Sequence, residues 1–217
     1  MGIGSGIKRA AAWLAPQSFV VSGRRGSPRA IAITFDDGPH PENTPRILDA
    51  LTEHGAKATF FLQGSMAEKS PELVREIAER GHQLGNHGHA HHDAKSVSTA
   101  KYVDDVIRAQ ESLEKILDRK LPRIFRPPFG SITLSSVFAL LRRRFCFVFW
   151  SLDSSDSYLR DPQSLFKFLS GQAIPAGSIL LFHDDYAHTV EILPRLLAHL
   201  KENNFQLVTV GELLQRT

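Results

Sequence analysis

The chain has little cysteine, no long hydrophobic run and a net charge close to zero, and each absence excludes a class of protein. It contains one cysteine among 217 residues, so an intramolecular disulfide and every cysteine-based zinc motif are excluded. No stretch approaches the roughly 18 consecutive apolar residues of a membrane span, so we expect no transmembrane segment. The net charge of +3 comes with short basic clusters that lack interleaved aromatics, and we therefore expect no nucleic-acid partner.

The N-terminal segment resembles the start of a signal peptide but breaks off early. Lys8 precedes a short apolar run that ends at Pro16, whereas the apolar region of a signal peptide normally needs about 7 to 15 residues. We therefore favour a cytoplasmic or membrane-peripheral location over secretion. Residues 1–28 are interpreted as a loosely packed arm or surface anchor, and residues 29–217 as a single domain of the α/β class.

Strand-like and helix-like segments alternate along the rest of the chain. Strands are predicted at 30–35, 57–62, 82–86, 124–126, 145–152, 178–182 and 205–210. Helices are predicted at 44–54, 71–80, 99–118, 131–143, 161–171 and 189–203, the first of them capped by Thr44. This alternation indicates parallel strands with crossover helices, either closed into a barrel or wound as an open sheet.

Five of the predicted strands end in residues with chemically useful side chains. These strand ends are Asp36-Asp37, the run from His87 to His91, Arg126, the run from Asp153 to Asp156, and His183-Asp184-Asp185. In an open sheet they would spread along one edge, whereas in a barrel they would converge on one mouth. The pattern therefore favours a (β/α)7 TIM-like barrel.

The Asp36-Asp37 pair and the two histidines spaced four apart predict a metal site. One carboxylate and two imidazoles can form an Asp-His-His ligand set, while the second carboxylate stays free for acid or base chemistry. The alternative for the aspartates is a solvated turn or a helix cap. His89 and His92 could exchange roles with the histidines at positions 87 and 91.

The chain resembles a known family through five short motifs taken in order. They are Thr34-Phe35-Asp36-Asp37-Gly38, His87-x-x-x-His91, Arg126-Pro127-Pro128-Phe129-Gly130, Asp153-x-x-Asp156 and Leu181-x-His183. In order and spacing these resemble the motifs of the polysaccharide deacetylases of carbohydrate esterase family 4, over roughly residues 28–212. The resemblance implies a distorted barrel and a metal-dependent hydrolase that removes N-acetyl groups from an amino-sugar-containing glycan or glycan precursor.

The resemblance also implies a role for each motif residue. Asp37, His87 and His91 would bind the divalent metal, which is most often Zn²⁺ in this family, with Co²⁺ or Ni²⁺ as alternatives. Asp36 would be the general base, and Arg126 would hold it ionised and oriented.

The remaining motifs imply the acid and the substrate pocket. His183 would be the general acid, Asp156 would raise its pKa, and the Phe129 N–H would help to stabilise the oxyanion. Substrate-binding positions are Leu181, Trp150, Pro128 and Tyr158. Nothing in the sequence indicates an oligomeric state.

Two positions depart from the family pattern. Gly88 stands where a serine or threonine normally supports the histidine loop, and Ser157, followed by Tyr158, stands where an aromatic residue normally follows Asp156. These departures make a noncatalytic sugar-binding barrel a plausible alternative. Hydrolysis of an O-acetyl ester, as on xylan, is a third possibility. Asp184 or Asp185 is a helix cap or an alternative metal ligand, and His40 flanks the cleft.

Overall fold

The computed structural model describes residues 20–23 and 29–215, whose strands form one strongly curved sheet. The strands are β1 (Val20–Val21), β2 (Ala30–Asp36), β3 (Thr59–Leu62), β4 (Gln83–Asn86), β5 (Ile124–Phe125), β6 (Cys146–Val148), β7 (Leu152–Asp153), β8 (Ile179–His183) and β9 (Gln206–Val208). The helices are α1 (Asn43–Glu53), α2 (Gly64–Lys69), α3 (Pro71–Glu79), α4 (Thr99–Leu117), α5 (Leu134–Arg142), α6 (Pro162–Ser170), α7 (Ala187–Glu202) and α8 (Val210–Gln215). A 3₁₀ turn (Pro128–Gly130) lies between β5 and α5.

The strands are parallel and curl until the two ends of the sheet approach each other. Their order is β1-β6-β5-β4-β3-β2-β8-β7, and β9 pairs with the first residues of β2. Consecutive strands β6 and β7 pair with opposite ends of this order, β6 with β5 and β7 with β8. One stretch of chain therefore joins the two ends. The predicted distorted (β/α)7 barrel, formed as a single domain, is confirmed.

The prediction of one continuous strand at 145–152 is wrong, because this segment forms two separate strands, β6 and β7. In the intervening residues, Phe149 N donates to Val21 O over 2.6 Å and Ser151 N donates to Ile179 O over 3.0 Å. The backbone therefore changes partners within a few residues. This change turns the corner that the barrel needs at this position.

The first long strand shows how the sequence builds the barrel interior. One face of β2 packs beneath the helices and consists of Ile31, Ile33 and Phe35. Ala30 and Ala32 lie on the opposite face, among residues of several other strands, and Thr34 and Asp36 continue that alternation. The interior face thus carries small side chains and ends in a carboxylate. Asp36 points into the barrel mouth because of its register along the strand.

Two helices were not predicted, and both have local causes. Helix α2 begins at Gly64, where an added Cβ would lie 2.9 Å from the Ala109 Cα, so glycine permits close packing against α4. Helix α8 replaces the last residues of the strand predicted to end at 210. Glu212 N donates to Thr209 Oγ1 and Thr209 N donates to the Glu212 carboxylate, which is a capping box.

The predicted cap of α1 was also wrong. The His40 ring accepts from Asn43 N over 3.2 Å and from Glu42 N over 3.3 Å, whereas Thr44 lies inside the helix and its hydroxyl accepts from His40 N over 2.8 Å. The Thr44 hydroxyl is instead buried and donates to the Asp184 carboxylate over 2.7 Å. A second buried partner therefore removes Thr44 from the capping role.

The proposed N-terminal arm lies mostly outside the described residues. Of residues 1–28, the structure describes 20–23 and leaves 1–19 and 24–28 outside, so the boundary at residue 28 stays a prediction. Val20 and Val21 add a short strand beside β6. Among the described residues no helix has the length and apolar character needed to cross a bilayer.

Candidate active site

The carboxyl ends of neighbouring strands bring the predicted side chains to one mouth of the barrel. Asp36 is the last residue of β2 and pairs in register with His183 of β8 on one side and Phe61 of β3 on the other. His87 directly follows β4, and its N–H donates to Leu62 O over 2.9 Å. Arg126 directly follows β5 and donates its N–H to Asn86 O over 2.9 Å.

Asp37, His87 and His91 form the metal-ligand cluster found among the described residues. One donor atom from each lies within 4.8 Å of the others. The Asp37 Oδ1 is 3.1 Å from His91 Nε2 and 3.6 Å from His87 Nε2. The three side chains predicted as metal ligands are therefore together, and all approach through atoms that can coordinate a cation.

The spacing of this cluster fits a tetrahedral ion. Ligand atoms about 2.1 Å from a tetrahedral metal lie roughly 3.4 Å from one another. The two distances from Asp37 Oδ1, 3.1 Å and 3.6 Å, lie on either side of that value. One carboxylate and two imidazoles also match the catalytic donor sets of zinc, which leave a position for water.

Hydrogen bonding fixes which nitrogen of His87 faces the cluster. His87 Nδ1 lies 2.7 Å from the Arg126 carbonyl oxygen, which can only accept, so this nitrogen carries the proton. The lone pair on Nε2 then points to Asp37. Burial lowers the pKa of His87, against the raising effect of the Asp36 and Asp37 charges, and favours the neutral imidazole that a metal requires.

Asp37 is held as a carboxylate. Burial by itself would raise its pKa, but the hydrogen bond from His91, the charges of His87 and His91, and a hydrogen bond from Gln63 outweigh burial and lower the pKa well below its usual value. Gln63 Nε2 donates to Asp37 Oδ1 over 2.8 Å. The ligand oxygen is therefore both ionised and oriented.

The histidine loop has an anchor that the sequence did not reveal. The Asp105 carboxylate on α4 accepts from His89 N over 2.8 Å and from Ala90 N over 3.0 Å. A Cβ on Gly88 would lie 2.9 Å from Asp105 Oδ2, and Gly88 has φ of 77°. A side chain at position 88 would therefore collide with the carboxylate. Asp105 takes the supporting role expected of the residue at 88.

The other histidines of this run do not exchange roles with the ligands. The His89 ring lies away from the cluster, with Nε2 3.2 Å from the Glu68 carboxylate, and the cluster of possible ligands contains neither His89 nor His92.

Asp36 stands beside the cluster with one oxygen held and the other directed at the histidines. Its Oδ1 accepts from Arg126 Nη1 over 2.7 Å, and its Oδ2 lies 3.8 Å from His87 Nε2. Both Asp36 and Arg126 are buried. A buried carboxylate beside a guanidinium satisfies the requirement that buried charges be paired.

Arg126 reaches Asp36 through the barrel interior. Its Nη1 also donates to Thr34 Oγ1 over 2.6 Å, and its Nε and Nη2 donate to the Val148 and Phe149 carbonyls. Its guanidinium lies 4.2 Å from the centroid of the Phe61 ring. The side chain is thus fixed from several directions, and with it the orientation of the Asp36 carboxylate.

His183 forms the opposite side of the mouth and is paired with Asp156. His183 Nδ1 donates to Asp156 Oδ1 over 2.8 Å, and Asp156 Oδ2 accepts from His183 N over 2.8 Å and from Thr189 Oγ1 over 2.9 Å. Burial would lower the pKa of His183. The hydrogen bond and charge of Asp156, with the charges of Asp36 and Asp37, raise it to about 9. The imidazole is therefore protonated at neutral pH.

The predicted substrate-binding residues differ in how closely the structure places them to the mouth. Pro128 and Leu181 are buried, and Leu181 pairs in register with Thr34 two residues before His183. The Phe129 ring is 68% exposed, and its centroid lies 4.5 Å from that of His91.

The other two predicted residues are less directly placed. Trp150 is half-buried, with its ring 5.7 Å from the Arg126 guanidinium, and Tyr158 is 84% exposed. Their roles toward substrate stay predictions.

Asp184 supports the site without joining the ligand cluster. It is fully buried, accepts from Thr44 through Oδ2, and leaves Oδ1 unpaired among the described residues. A Cβ on Gly38 would lie 1.9 Å from this carboxylate, so the turn after Asp37 rests directly on it. Burial, with the charges of Asp185 and Asp37, raises the pKa of Asp184 to about 7 despite the Thr44 hydrogen bond. Through these contacts, Asp184 supports the turn that follows Asp37.

Comparisons with known proteins decide the family. The family model for polysaccharide deacetylase matches residues 23–142. A peptidoglycan-N-acetylglucosamine deacetylase from Bacillus cereus is 33% identical over 207 residues, which cover 94% of this chain and 74% of that protein. The chain belongs to the polysaccharide deacetylase family.

Further similarities within this family extend to an oligosaccharide deacetylase and to a protein without activity. A chitooligosaccharide deacetylase from Bradyrhizobium is 31% identical over 199 residues, which cover 85% of this chain and 90% of that protein. The crystal structure of a pseudoenzyme of carbohydrate esterase family 4 from Bacillus anthracis matches with a TM-score of 0.83 and 26% identity, covering 91% of this chain and 69% of the other. Membership in the family therefore does not by itself establish catalysis.

Proposed function

We propose that this protein is a metal-dependent deacetylase that hydrolyses the N-acetyl amide of an amino-sugar-containing glycan or glycan precursor. The observation that carries the proposal is the arrangement of two further groups around the Asp37–His87–His91 cluster. A buried Asp36 with one oxygen directed at the cluster lies on one side, and the Asp156–His183 pair lies on a neighbouring strand end. This arrangement provides both a base and an acid.

Each group has a defined part in the reaction. Asp37, His87 and His91 would hold a divalent ion, with Zn²⁺ favoured by the donor set, and such an ion acidifies water and polarises a carbonyl oxygen. Asp36 accepts the proton of the attacking water, while Arg126 holds the carboxylate in place through its hydrogen bond to Oδ1. The Phe129 N–H stabilises the oxyanion that develops as the water oxygen bonds to the acetyl carbon.

The acid completes the cleavage. His183 donates a proton to the departing nitrogen as the C–N bond breaks, since an amine is a poor leaving group unless it is protonated. Asp156 holds the imidazole in the tautomer with the proton on Nδ1 and raises the pKa of the ring. Acetate and a free amino sugar are the products.

The noncatalytic alternative is countered by the same arrangement. A sugar-binding barrel needs neither a second buried carboxylate held by an arginine nor an imidazole hydrogen-bonded to a buried carboxylate, and both are present. The departure at Gly88, which made this alternative plausible, is compensated by Asp105. The O-acetyl esterase differs in the acid it needs, because an alkoxide leaves more readily than an amine.

The decisive experiment replaces Asp36 with asparagine. We expect Asp36→Asn to lower acetate release from N-acetylglucosamine oligomers by roughly 10²- to 10⁴-fold, since the base is lost. Zinc content should stay at the wild-type level because Asp36 is outside the ligand cluster. A matched control is Asp104→Asn, an exposed acid on α4 away from the motif residues, which should leave the rate unchanged.

The substrate class is tested on the same samples. Acetate release is measured against N-acetylglucosamine oligomers, peptidoglycan fragments and acetylated xylan, with and without a chelator. We expect activity on the first two substrates that a chelator abolishes and Zn²⁺ restores. Full activity in Asp36→Asn would refute the base, and a preference for xylan would favour the esterase.

A further inference from the structure

One face of α5 carries large apolar side chains in water. Leu134 and Phe138 are 83% and 63% exposed, and together with Arg142 they fall at positions i, i+4 and i+8 of the helix. Residues with this spacing share one face of a helix. The opposite side of α5 is already packed, because Leu140 is buried in the core. Leu134, Phe138 and Arg142 therefore form an outward-facing stripe, here called the α5 face.

Four exposed arginines lie at the C-terminal end of this stripe. Arg142, Arg143 and Arg144 are exposed at the end of α5, and the exposed Arg123 donates to the Arg143 carbonyl over 2.7 Å. None of these four guanidinium groups forms an ion pair within the described part of the chain. The Arg142 guanidinium lies 5.5 Å from the centroid of the Phe138 ring. Cationic and apolar groups thus occur side by side on one surface.

Two further features bear on the α5 face. Strand β6, which follows α5, pairs with β1, whose first residue is Val20. Residues 1–19 include Lys8 and Arg9 and no acidic residue. At the other end of the helix, the turn that precedes α5 contains Phe129 at the barrel mouth.

We propose that the α5 face docks on an anionic phospholipid bilayer. Leu134 and Phe138 insert at the level of the headgroups, and the four arginines contact lipid phosphates, an arrangement typical of helices that lie in a membrane interface. Two apolar side chains are too few for a stable protein interface, which needs a larger apolar centre. Two apolar side chains are enough to insert into a membrane interface when cations beside them are attracted to anionic lipids.

The test is co-sedimentation of the full chain with lipid vesicles. We expect binding to vesicles of phosphatidylglycerol and phosphatidylcholine, weak binding to phosphatidylcholine alone, and loss of binding at high salt. Replacing Arg142, Arg143 and Arg144 together with glutamine should reduce the partition coefficient roughly 100-fold, since each basic residue near an anionic surface contributes several-fold. The double variant Leu134→Ser, Phe138→Ser should reduce it about tenfold.

The control is Phe168→Ser, which removes a 39% exposed aromatic from α6 on another part of the surface and should leave binding unchanged. All variants should keep wild-type circular dichroism and wild-type activity on a soluble oligosaccharide, so loss of vesicle binding is separable from loss of fold or catalysis. The proposal is overturned if the wild type does not bind anionic vesicles. It is equally overturned if both α5 variants bind like the wild type, which would assign the binding to other residues.

Discussion

The two halves of the candidate site are held in place by different means. In the half proposed to bind the metal, Asp37 and His91 have left-handed backbone conformations, with φ of 77° and 53°. In the half proposed to donate the proton, His183 ends a regular strand, and its position depends on hydrogen bonds to the buried Asp156. One half depends on unusual loop geometry and the other on a charged pair.

This difference predicts that substitutions in one half of the site impair that half alone and leave the other half intact. A left-handed conformation of a residue other than glycine costs on the order of 1 kcal/mol and persists only where the surroundings impose it. Gln63 and Asp105 supply those surroundings for the metal-binding half. Changes there should alter metal affinity, whereas changes at Asp156 should alter the pH at which His183 donates its proton.

The largest difference between the effects on catalysis and on zinc binding is expected from His183→Gln. This variant should lower kcat for an N-acetyl substrate by roughly 10²- to 10⁴-fold, because the leaving amine receives no proton. Zinc affinity, measured by competition with a chromophoric chelator, should remain that of the wild type. Loss of zinc together with activity would contradict the division of the site into halves.

The reverse result is expected from Asp37→Asn. Structural zinc sites bind with about 10–16 kcal/mol shared among their ligands, so losing one ligand should weaken binding about 100-fold or more. The same chelator competition measures this change. Activity should recover at high zinc concentration to a greater extent than in His183→Gln, and failure of any recovery would count against a pure ligand role.

A smaller effect on the same half is expected from Asp105→Asn. Supporting residues of this kind typically change metal affinity by 10- to 100-fold, and we expect a value near tenfold because asparagine still accepts one hydrogen bond. Asp104→Asn, one residue away and exposed, is the matched control and should bind zinc normally. Equal zinc affinity in both variants would show that Asp105 does not anchor the histidine loop.

The smallest effect concerns the pH profile. Since His183 must be protonated and its pKa is raised to about 9, activity should fall as the pH rises through about 9. Asp156→Asn removes the main group that raises this pKa, so the alkaline limb should move to lower pH by roughly one to two units. An unchanged limb would mean that another group controls it.

The raised pKa of His183 also predicts how the stability of the fold depends on pH. A histidine whose pKa is raised by folding contributes stability that is complete below its unfolded value near 6.5 and is lost as the pH rises through about 9. The free energy of unfolding of the metal-free wild type should therefore decline between these values. Asp156→Asn should flatten this decline, which denaturant titrations at several pH values would measure.

Sequence periodicity predicted the barrel because the strands and helices alternate with clear apolar patterns. It did not predict α2 or α8, since these helices depend on contacts distant from their own residues or on a capping pair. Gly64 marks the close approach of α2 to α4, and Glu212 caps α8 through Thr209. The break between β6 and β7 depends on partners from β1 and β8, which no local pattern contains.

For the site, the motifs predicted which side chains would meet, and the structure places Asp37, His87 and His91 within one cluster. The residues that support them were missed because their signals are weak in sequence. Asp105 is one acid among many on an amphipathic helix, and Asp184 was assigned two other roles, neither of which is to brace the turn at Gly38. Only tertiary packing reveals such partners.

The burial of Arg126 has a consequence for how specificity can change in this protein. The guanidinium approaches Asp36 from inside the barrel, past Thr34 and Phe61, and it has no exposed surface. The orientation of the Asp36 carboxylate is therefore fixed beneath the floor of the cleft. The side chains of Phe129 and Tyr158 are exposed instead, so substitutions there can alter the surface without disturbing this buried contact.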